Sequence, residues 1–410
     1  VSIAHISPSP VGWSHRLEGR TKIVLYKEQS YESNFESKSA PAAVSPSPPL
    51  LGTQILDTTK AIPNLLAPLP LKKNYFFALR SLTCKLRSPI SISLLLRQAA
   101  RRPMAQDDPV VSAQWLQQHL GQLDIKVLDA SWYMPQESRD PWQEYQVAHI
   151  PGALFFDIDG IVNRATDLPH MLPSEEAFAA AVSALGINNH DKVVVYDGKG
   201  FFSAPRVWWM FRVLGHDKVW VLDGGFPQWQ ASGFNIASSC PDDAVLKSKA
   251  ANSAVETAYN GKLANAATFQ TEFRPQLFWT LEKVKQNVAA KAHQVVDARA
   301  KGRFDGVMPE PREGVRSGHI PGTKCVPFPE MFDGAQTLLP ADELSKKFEQ
   351  EGILLDHPIV VTCGSGVTAC ILALGFYRIG KHDVPVYDGS WTEWEAQPDD
   401  DYPKVASTAP

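Results

Sequence analysis

The segment best equipped for chemistry is the heptapeptide Cys363-Gly364-Ser365-Gly366-Val367-Thr368-Ala369. It follows a strand-like run, Pro358-Ile359-Val360-Val361-Thr362, and leads into a helix-like one, Cys370-Ile371-Leu372-Ala373-Leu374. A thiol at such a junction sits where the first helical N–H groups have no intrahelical partner. Those donors and the helix dipole favour thiolate over thiol. Gly364 and Gly366 let the backbone curl so that several N–H groups converge on one anion. The resulting bowl suits a thiolate or a persulfide and needs no metal. A buried cysteine is ordinarily an inert small hydrophobe. That description fits Cys370, inside the helical run. At Cys363 strand, glycine-rich loop and helix coincide, which points to a reactive thiol.

The rest of the composition narrows the chemistry. A cysteine phosphatase shares this strand–loop–helix layout but needs an arginine six residues after the cysteine to clamp phosphate. That position is Ala369. The five cysteines (Cys84, Cys240, Cys325, Cys363 and Cys370) are odd in number, and no pair forms CxxC. Neither a disulfide framework nor a zinc site is expected, and a reducing compartment is. No metal and no organic cofactor is called for. No apolar run approaches the roughly 18 residues needed to span a membrane. The net charge of −4 hides an asymmetry, since residues 1–104 carry 14 Lys/Arg against 5 Asp/Glu and the remainder 26 against 39. A body that acidic is a poor general partner for nucleic acid.

The elements that must position Cys363 occur twice. From Asp107 onward the chain contains an internal repeat of about 165–170 residues. Ser112-Ala113-Gln114-Trp115-Leu116 and the strand Val127-Leu128-Asp129-Ala130 in one copy answer to Thr280-Leu281-Glu282-Lys283-Val284 and Val295-Val296-Asp297-Ala298 in the other. His149-Ile150-Pro151-Gly152 answers to His319-Ile320-Pro321-Gly322, and Leu222-Asp223-Gly224-Gly225-Phe226 to Tyr387-Asp388-Gly389-Ser390-Trp391. Short apolar strands alternating with helical runs predict an α/β fold: two tandem domains, each a parallel sheet with helices on both faces. The expected organisation is a leader (1–104), a first domain (105–235), a polar linker of little period (236–276) and a second domain (277–410). Aligning the strands puts Asp197 where the second copy has Cys363, so only the second copy can do thiol chemistry. The first copy is expected to wall one side of the cleft.

The leader reads as a presequence. Ser-Pro pairs recur, no helical or strand period persists, and nine basic residues but no acidic one lie between Thr58 and Gln106. The Ser- and Arg-rich stretch from Ile90 to Arg102 suits an organelle transit peptide, most naturally a mitochondrial one. The chain begins at Val1 and Met104 is its first methionine. A cleaved or omitted presequence is therefore expected, with mitochondrial matrix placement, or a cytoplasmic form if translation starts at Met104.

Together these segments resemble a known family. Both copies look like rhodanese domains, and the pair resembles a tandem-domain thiosulfate/3-mercaptopyruvate sulfurtransferase of the plant mitochondrial type. The likeness runs from about Val110 to Trp394, through both HIPG segments, Ser203-Ala204-Pro205-Arg206-Val207-Trp208-Trp209 and the YDGSWTEW close. The CGSGVTA loop resembles that of the mercaptopyruvate-preferring members, whereas thiosulfate-preferring ones carry CRKGVTA. The resemblance implies Cys363 as nucleophile and Arg303 and Arg312 as substrate-binding arginines, with Gly364, Gly366, Val367 and Thr368 forming the loop that holds the sulfur. A guanidinium suits mercaptopyruvate, whose carboxylate it can bind in a planar fork. The resemblance further implies a relay of Ser365, His170 and Asp159. Its expected alternative is that His170 and Asp159 merely pin the contact between domains. His149 and His319 read as structural turn residues, and Asp157 is left outside the site.

The implied reaction moves the sulfur of 3-mercaptopyruvate to Cys363, releases pyruvate, and passes the sulfur to thioredoxin, a small thiol or cyanide. Two alternatives are a thiosulfate:cyanide sulfurtransferase and a persulfide carrier that loads without turnover. The two arginines favour an enzyme over the carrier.

Overall fold

The computed structural model describes residues 108–238, 242–261 and 267–406. The presequence expected at 1–104, with Cys84, lies outside them, as does Cys240. The first sheet contains β1 (Val110–Val111), β2 (Ile125–Asp129), β3 (Leu154–Phe155), β4 (Lys192–Tyr196) and β5 (Val219–Leu222) in the order β1-β5-β4-β2-β3. The second contains β6 (Phe278–Trp279), β7 (Gln294–Asp297), β8 (Lys324–Cys325), β9 (Ile359–Thr362) and β10 (Val386–Tyr387) in the order β6-β10-β9-β7-β8. The two orders are the same once each copy is counted from its own first strand, and all strand pairings are parallel. The repeat legible in the sequence is thus a repeat of topology.

Alternation explains why both faces of each sheet are covered. Val193 and Val195 of β4 enter one hydrophobic core, and Val194 and Tyr196 enter another on the opposite face. In β9, Ile359 and Val361 share the first of these cores while Val360 faces a third. A strand apolar on both faces needs a helix layer on each side. The helices are α1 (Ala113–His119), α2 (Pro141–Val147), α3 (Glu175–Ala184), α4 (Ala204–Val213), α5 (Gly225–Ala231), α6 (Asp242–Tyr259), α7 (Leu281–Ala290), α8 (Lys301–Phe304), α9 (Ala341–Gln350), α10 (Ala369–Arg378) and α11 (Ser390–Glu395). Equivalent helices start with equivalent caps. Ser112 Oγ accepts from Trp115 N at 3.1 Å in α1, and Thr280 Oγ1 accepts from Lys283 N at 3.4 Å in α7.

The two domains meet through α4 and α10, the helices that follow the Asp197 and Cys363 loops. Every residue of α4 is buried, and so is α10 from Ala369 to Phe376. A helix buried on all sides has no solvent face and must be enclosed. Here each helix supplies the enclosure of the other, and a single core runs through both domains. Trp208 meets Tyr377 edge-on at 5.6 Å, and Trp209 Nε1 donates to the Leu277 carbonyl at 3.2 Å. This contact sets the start of α10, and with it Cys363, against the first domain.

One expectation is corrected. The stretch read as a linker contains an 18-residue helix, α6, from Asp242 to Tyr259. Ala244, Ser248, Ala251 and Val255 are its buried stripe, and Phe269 beyond it packs on Phe178 and Phe211 at 6.1 Å. Three of its four residues are alanine or serine, so it buries against α3 by close approach rather than by bulk, and the hydrophobic pattern in the sequence is faint. Because Val255 is fully buried, Val255→Asp is expected to destabilise the first domain by at least about 3 kcal/mol. Urea unfolding measures this, and an unchanged midpoint would mean that α6 contributes nothing to the fold.

Candidate active site

The two loops of the repeat place different side chains at the same bowl. In the first domain the Asp197 carboxylate fills it: Oδ2 accepts from the amides of Phe202, Ser203 and Ala204 at 2.8, 3.0 and 2.9 Å, and Oδ1 from that of Lys199 at 2.9 Å. In the second domain Cys363 takes that place. Among the described residues no protein acceptor is seen on the amides of residues 364–368. The Cys363 carbonyl accepts from Trp391 N at 3.0 Å and its amide donates to Ser390 Oγ at 3.2 Å, which pins the residue from behind. Gly366 has φ +77°, and a Cβ there would lie 2.5 Å from the Asp388 carbonyl, so the turn admits only glycine.

Cys363 lies in the wall of a cleft of about 580 Å³ between the domains. The second domain contributes Arg299, Arg303, Arg312, Glu310 and the Cys363 loop, while the first contributes Trp132, Met134, Gln136, Lys199 and Phe202. The arginines are not equivalent. Arg299 is almost fully buried and committed to Asp297, Glu310 and the Gly318 carbonyl. Arg303 leans on Glu310 at 3.5 Å. Arg312 makes no side-chain hydrogen bond or ion pair among the described residues. Burial lowers its pKa, partly offset by the Cys363, Asp159 and Glu310 charges, yet a guanidinium stays protonated at neutral pH. Arg312 is therefore a cation with unused donors beside Cys363.

The three residues of the expected relay come together across the domain boundary. His170 Nδ1 is 3.1 Å from Ser365 Oγ and its Nε2 is 3.2 Å from Asp159 Oδ1. Trp132 Nε1 donates to Asp159 Oδ2 at 2.8 Å, and the Trp132 ring meets His170 edge-on at 4.7 Å. Burial lowers the pKa of His170, and Arg312 and Arg206 add to this, against the opposing pull of Asp159. Desolvation raises Asp159, but His170, Trp132 and Arg312 outweigh it and its carboxyl ends below the ordinary range. A neutral His170 that donates from Nε2 to Asp159 leaves Nδ1 free to accept the Ser365 hydroxyl proton. Ser365, Gly364, Val367 and Thr368 line the cleft, whereas His170 and Gly366 are buried outside its lining and Asp159 is exposed outside it.

Other residues singled out by sequence fall elsewhere. Asp157 accepts from Asn252 Nδ2 at 2.7 Å and ties α6 to its loop. His149 Nδ1 contacts the Tyr145 carbonyl at 2.7 Å and His319 Nδ1 the Phe304 carbonyl at 2.8 Å, matching bonds at matching turns. Cys370 is buried with Sγ 3.2 Å from the Gly366 carbonyl, and burial pushes its thiol pKa up.

Three residues escaped the sequence reading. Lys199 stands two positions after Asp197, at the place of Ser365, and lines the cleft paired with Glu137 at 2.9 Å. Arg206 and Asp388 form a fully buried ion pair between the domains at 2.5 Å. Arg206 also donates to the Gly366 carbonyl at 3.2 Å and to the His170 carbonyl. Asp388 Oδ2 in turn accepts from Leu172 N at 2.7 Å. The signal for Arg206 was a cation inside an otherwise apolar helical run, which has to be paired.

Comparison with known proteins decides the family. The model of the rhodanese-like domain matches residues 112–232 and 280–397. The chain belongs to the rhodanese family. Among its rhodanese relatives, the mitochondrial thiosulfate/3-mercaptopyruvate sulfurtransferase 1 of Arabidopsis thaliana is 65% identical over 292 residues, 71% of this chain and 77% of the relative. The human 3-mercaptopyruvate sulfurtransferase is 43% identical over 300 residues, 71% of this chain and 94% of the relative. The crystal structure of the Escherichia coli 3-mercaptopyruvate sulfotransferase SseA aligns with a TM-score of 0.59 at 35% identity, covering 69% of this chain and 99% of that one.

In this rhodanese the Arg206–Asp388 pair carries an interdomain load. Removing one partner strands the other charge in the core. Arg206→Ala and Asp388→Ala are each expected to cost about 3–5 kcal/mol in chemical denaturation. The double variant is expected to lose less than the sum of the two, and strict additivity would mean the charges are not coupled.

Proposed function

We propose that this chain is a 3-mercaptopyruvate sulfurtransferase that works through a persulfide on Cys363. The observation that carries this is the pair of matched bowls. One is satisfied by the carboxylate of Asp197, and the other offers its amides to whatever anion Cys363 becomes. A thiolate or a persulfide is the anion that fits.

The Cys363 thiolate attacks the sulfur of the bound substrate. A new S–S bond forms, the C–S bond breaks, and its electron pair passes to the pyruvate enolate. Arg312 and Arg303 hold the substrate carboxylate and stabilise the developing enolate charge. Ser365, backed by neutral His170 and by Asp159, shuttles the proton lost from the substrate thiol to the enolate carbon. A thiol then attacks the outer sulfur and restores Cys363. Thioredoxin or a small thiol is the proposed physiological acceptor, and cyanide would give thiocyanate. The name of the Arabidopsis relative supports a mitochondrial address, with the basic leader as import signal.

A second donor, thiosulfate, is favoured by one observation. Lys199 adds a cation to the cleft from the first domain that the Cys363 loop alone lacks. It is held by Glu137, so its pull on a dianion is muted. Mercaptopyruvate therefore remains the preferred donor.

Three outcomes test this reading. Adding mercaptopyruvate without an acceptor should add about 32 Da to the peptide containing Cys363, one sulfur by mass spectrometry. Cys363→Ser should give neither adduct nor pyruvate, and turnover surviving that change would refute the assignment. Replacing Gly364-Ser365 with Arg-Lys should move the ratio of kcat/KM values toward thiosulfate by about tenfold or more; an unmoved ratio would exclude loop charge as the selector.

The relay predicts an acid limb. The pKa of His170 lies below the usual value, so kcat/KM should hold level through neutral pH and fall only once the pH drops under the ordinary histidine range. His170→Gln should lose that limb and about 10²-fold in rate. A variant with the wild-type pH profile would leave His170 as a packing residue only.

A further inference from the structure

The repeat supplies its own reference for a cleft in the first domain that the sulfur chemistry does not use. β2 ends with Asp129 beside Tyr196, as β7 ends with Asp297 beside Thr362. Ser131 N donates to Asp129 Oδ1 at 2.9 Å, and Arg299 N donates to Asp297 Oδ1 at 2.9 Å. Phe226 N donates to the Asp197 carbonyl at 3.0 Å, and Trp391 N to the Cys363 carbonyl at 3.0 Å. His149 bridges Ala237 as His319 bridges Val405. These bonds equate Ser131 with Arg299, Phe226 with Trp391, and Ala148 with Gly318.

In the second domain the Arg299 side chain occupies the space these residues enclose. Its guanidinium bonds to both Asp297 oxygens, at 2.6 Å for the shortest contact, and to the Gly318 carbonyl at 2.7 Å, and it lies 4.8 Å from the centre of the Trp391 ring. In the first domain Ser131 is too short to do so. The space is a cleft of about 450 Å³ whose lining includes Asp129, Ala148 and Phe226. The carboxylate, the backbone position and the aromatic ring are retained, but the guanidinium is missing. Arg139 on the wall does not replace it. Its guanidinium is committed to Glu144 at 2.5 and 2.7 Å and stacks over Tyr133 at 3.6 Å.

We propose that this cleft binds a small ligand bearing a guanidinium or amidinium group, seated where Arg299 places its own in the second domain. The cation bonds to the Asp129 carboxylate and the Ala148 carbonyl over the face of Phe226. The rest of the ligand leaves past Gln143 and Gln230, which are exposed at the rim.

The charge balance favours a cation. Burial is the main cause that pushes the Asp129 acid up to about 6, and Asp197 adds to it against the hydrogen bonds of Ser131 and Tyr196. The other titratable groups around the cleft are Tyr133, Tyr145 and the mutually paired Arg139 and Glu144. Above about pH 6 the carboxylate is ionised, and it has no ion pair with a cationic side chain among the described residues. An entering guanidinium neutralises it, and acid removes the attraction.

The test is saturation-transfer NMR on the full chain with methylguanidinium, using the neutral isostere N-methylurea as control. Saturable binding in the low millimolar range is expected for methylguanidinium at pH 7.5 and none for N-methylurea. Affinity should fall about tenfold at pH 5, where Asp129 is mostly protonated. Ser131→Arg puts a side-chain guanidinium into the cleft and should abolish binding while pyruvate release from mercaptopyruvate stays unchanged. Asp129→Asn should weaken binding at least about tenfold, so the conclusion does not rest on one variant. Absence of saturable binding, equal binding of N-methylurea, or undiminished binding to either variant would overturn the proposal.

Discussion

The arrangement depends on a charge pair that neither domain could hold alone. Arg206 sits on a helix with no solvent-exposed side, and its guanidinium meets Asp388 of the other domain with both side chains fully buried. Withdrawing two such charges from water costs several kcal/mol per ion, and close contact with further hydrogen bonds has to offset it. Those further bonds go to the carbonyls of Gly366 and His170. The groups that satisfy Arg206 are therefore the backbone of the Cys363 loop and the backbone of the histidine beside it. The same contacts that make the buried cation tolerable fix Ser365 and His170 relative to one another. His170 has a positive φ of 63°, a conformation a non-glycine residue keeps only when its surroundings enforce it.

The repeat shows how one backbone serves two purposes. Both loops follow the central strand of a five-stranded parallel sheet and precede a buried helix. Uncommitted amides at such a junction call for an anion. The first domain supplies it permanently from Asp197, and its loop is a closed structural unit. The second has Cys363 in place of that carboxylate, and its loop keeps amides that no protein acceptor fills among the described residues. Divergence extends one shell outward, where Ser131 stands against Arg299 and Lys199 against Ser365. The domain without the cysteine contributes Trp132 and Lys199 to the wall of the Cys363 cleft, and His170 and Asp159 to the chain of contacts that ends at Ser365.

Much of this was legible before any coordinates. The repeat, the parallel sheets, the cysteine at a strand–helix junction and the aspartate in its place in the first copy follow from local signals: apolar strands, glycines at a tight turn, and equivalent motifs at a constant spacing. Helix α6 was not legible because a stripe of mostly small residues, Ala244, Ser248 and Ala251 beside Val255, carries little hydrophobic contrast over a polar background. Arg303 and Arg312 look alike in sequence, as paired arginines near a glycine. Only the placement of Glu310 separates the partly committed one from the free one. Lys199 could have been found by carrying the loop alignment two residues past Asp197. Arg206 required asking where a cation in an apolar helix finds its counter-charge.

The amino-acid sequence by itself determined which residues have the chemistry. It fixed Cys363 at a strand–helix junction, glycines at the turn where no Cβ fits, alanine where a phosphatase needs arginine, and Asp197 in place of a second thiol. These are properties of short segments, set by sterics, hydrogen-bonding capacity and helix ends. The tertiary structure alone decided which of those residues meet. His170 and Ser365 are 195 positions apart in the chain and 3.1 Å apart in space, and Arg206 and Asp388 are 182 positions apart and in contact. No local pattern encodes such pairings, because they arise where two buried helices, α4 and α10, pack against each other. Their packing brings the loops at their N-termini to a common cleft.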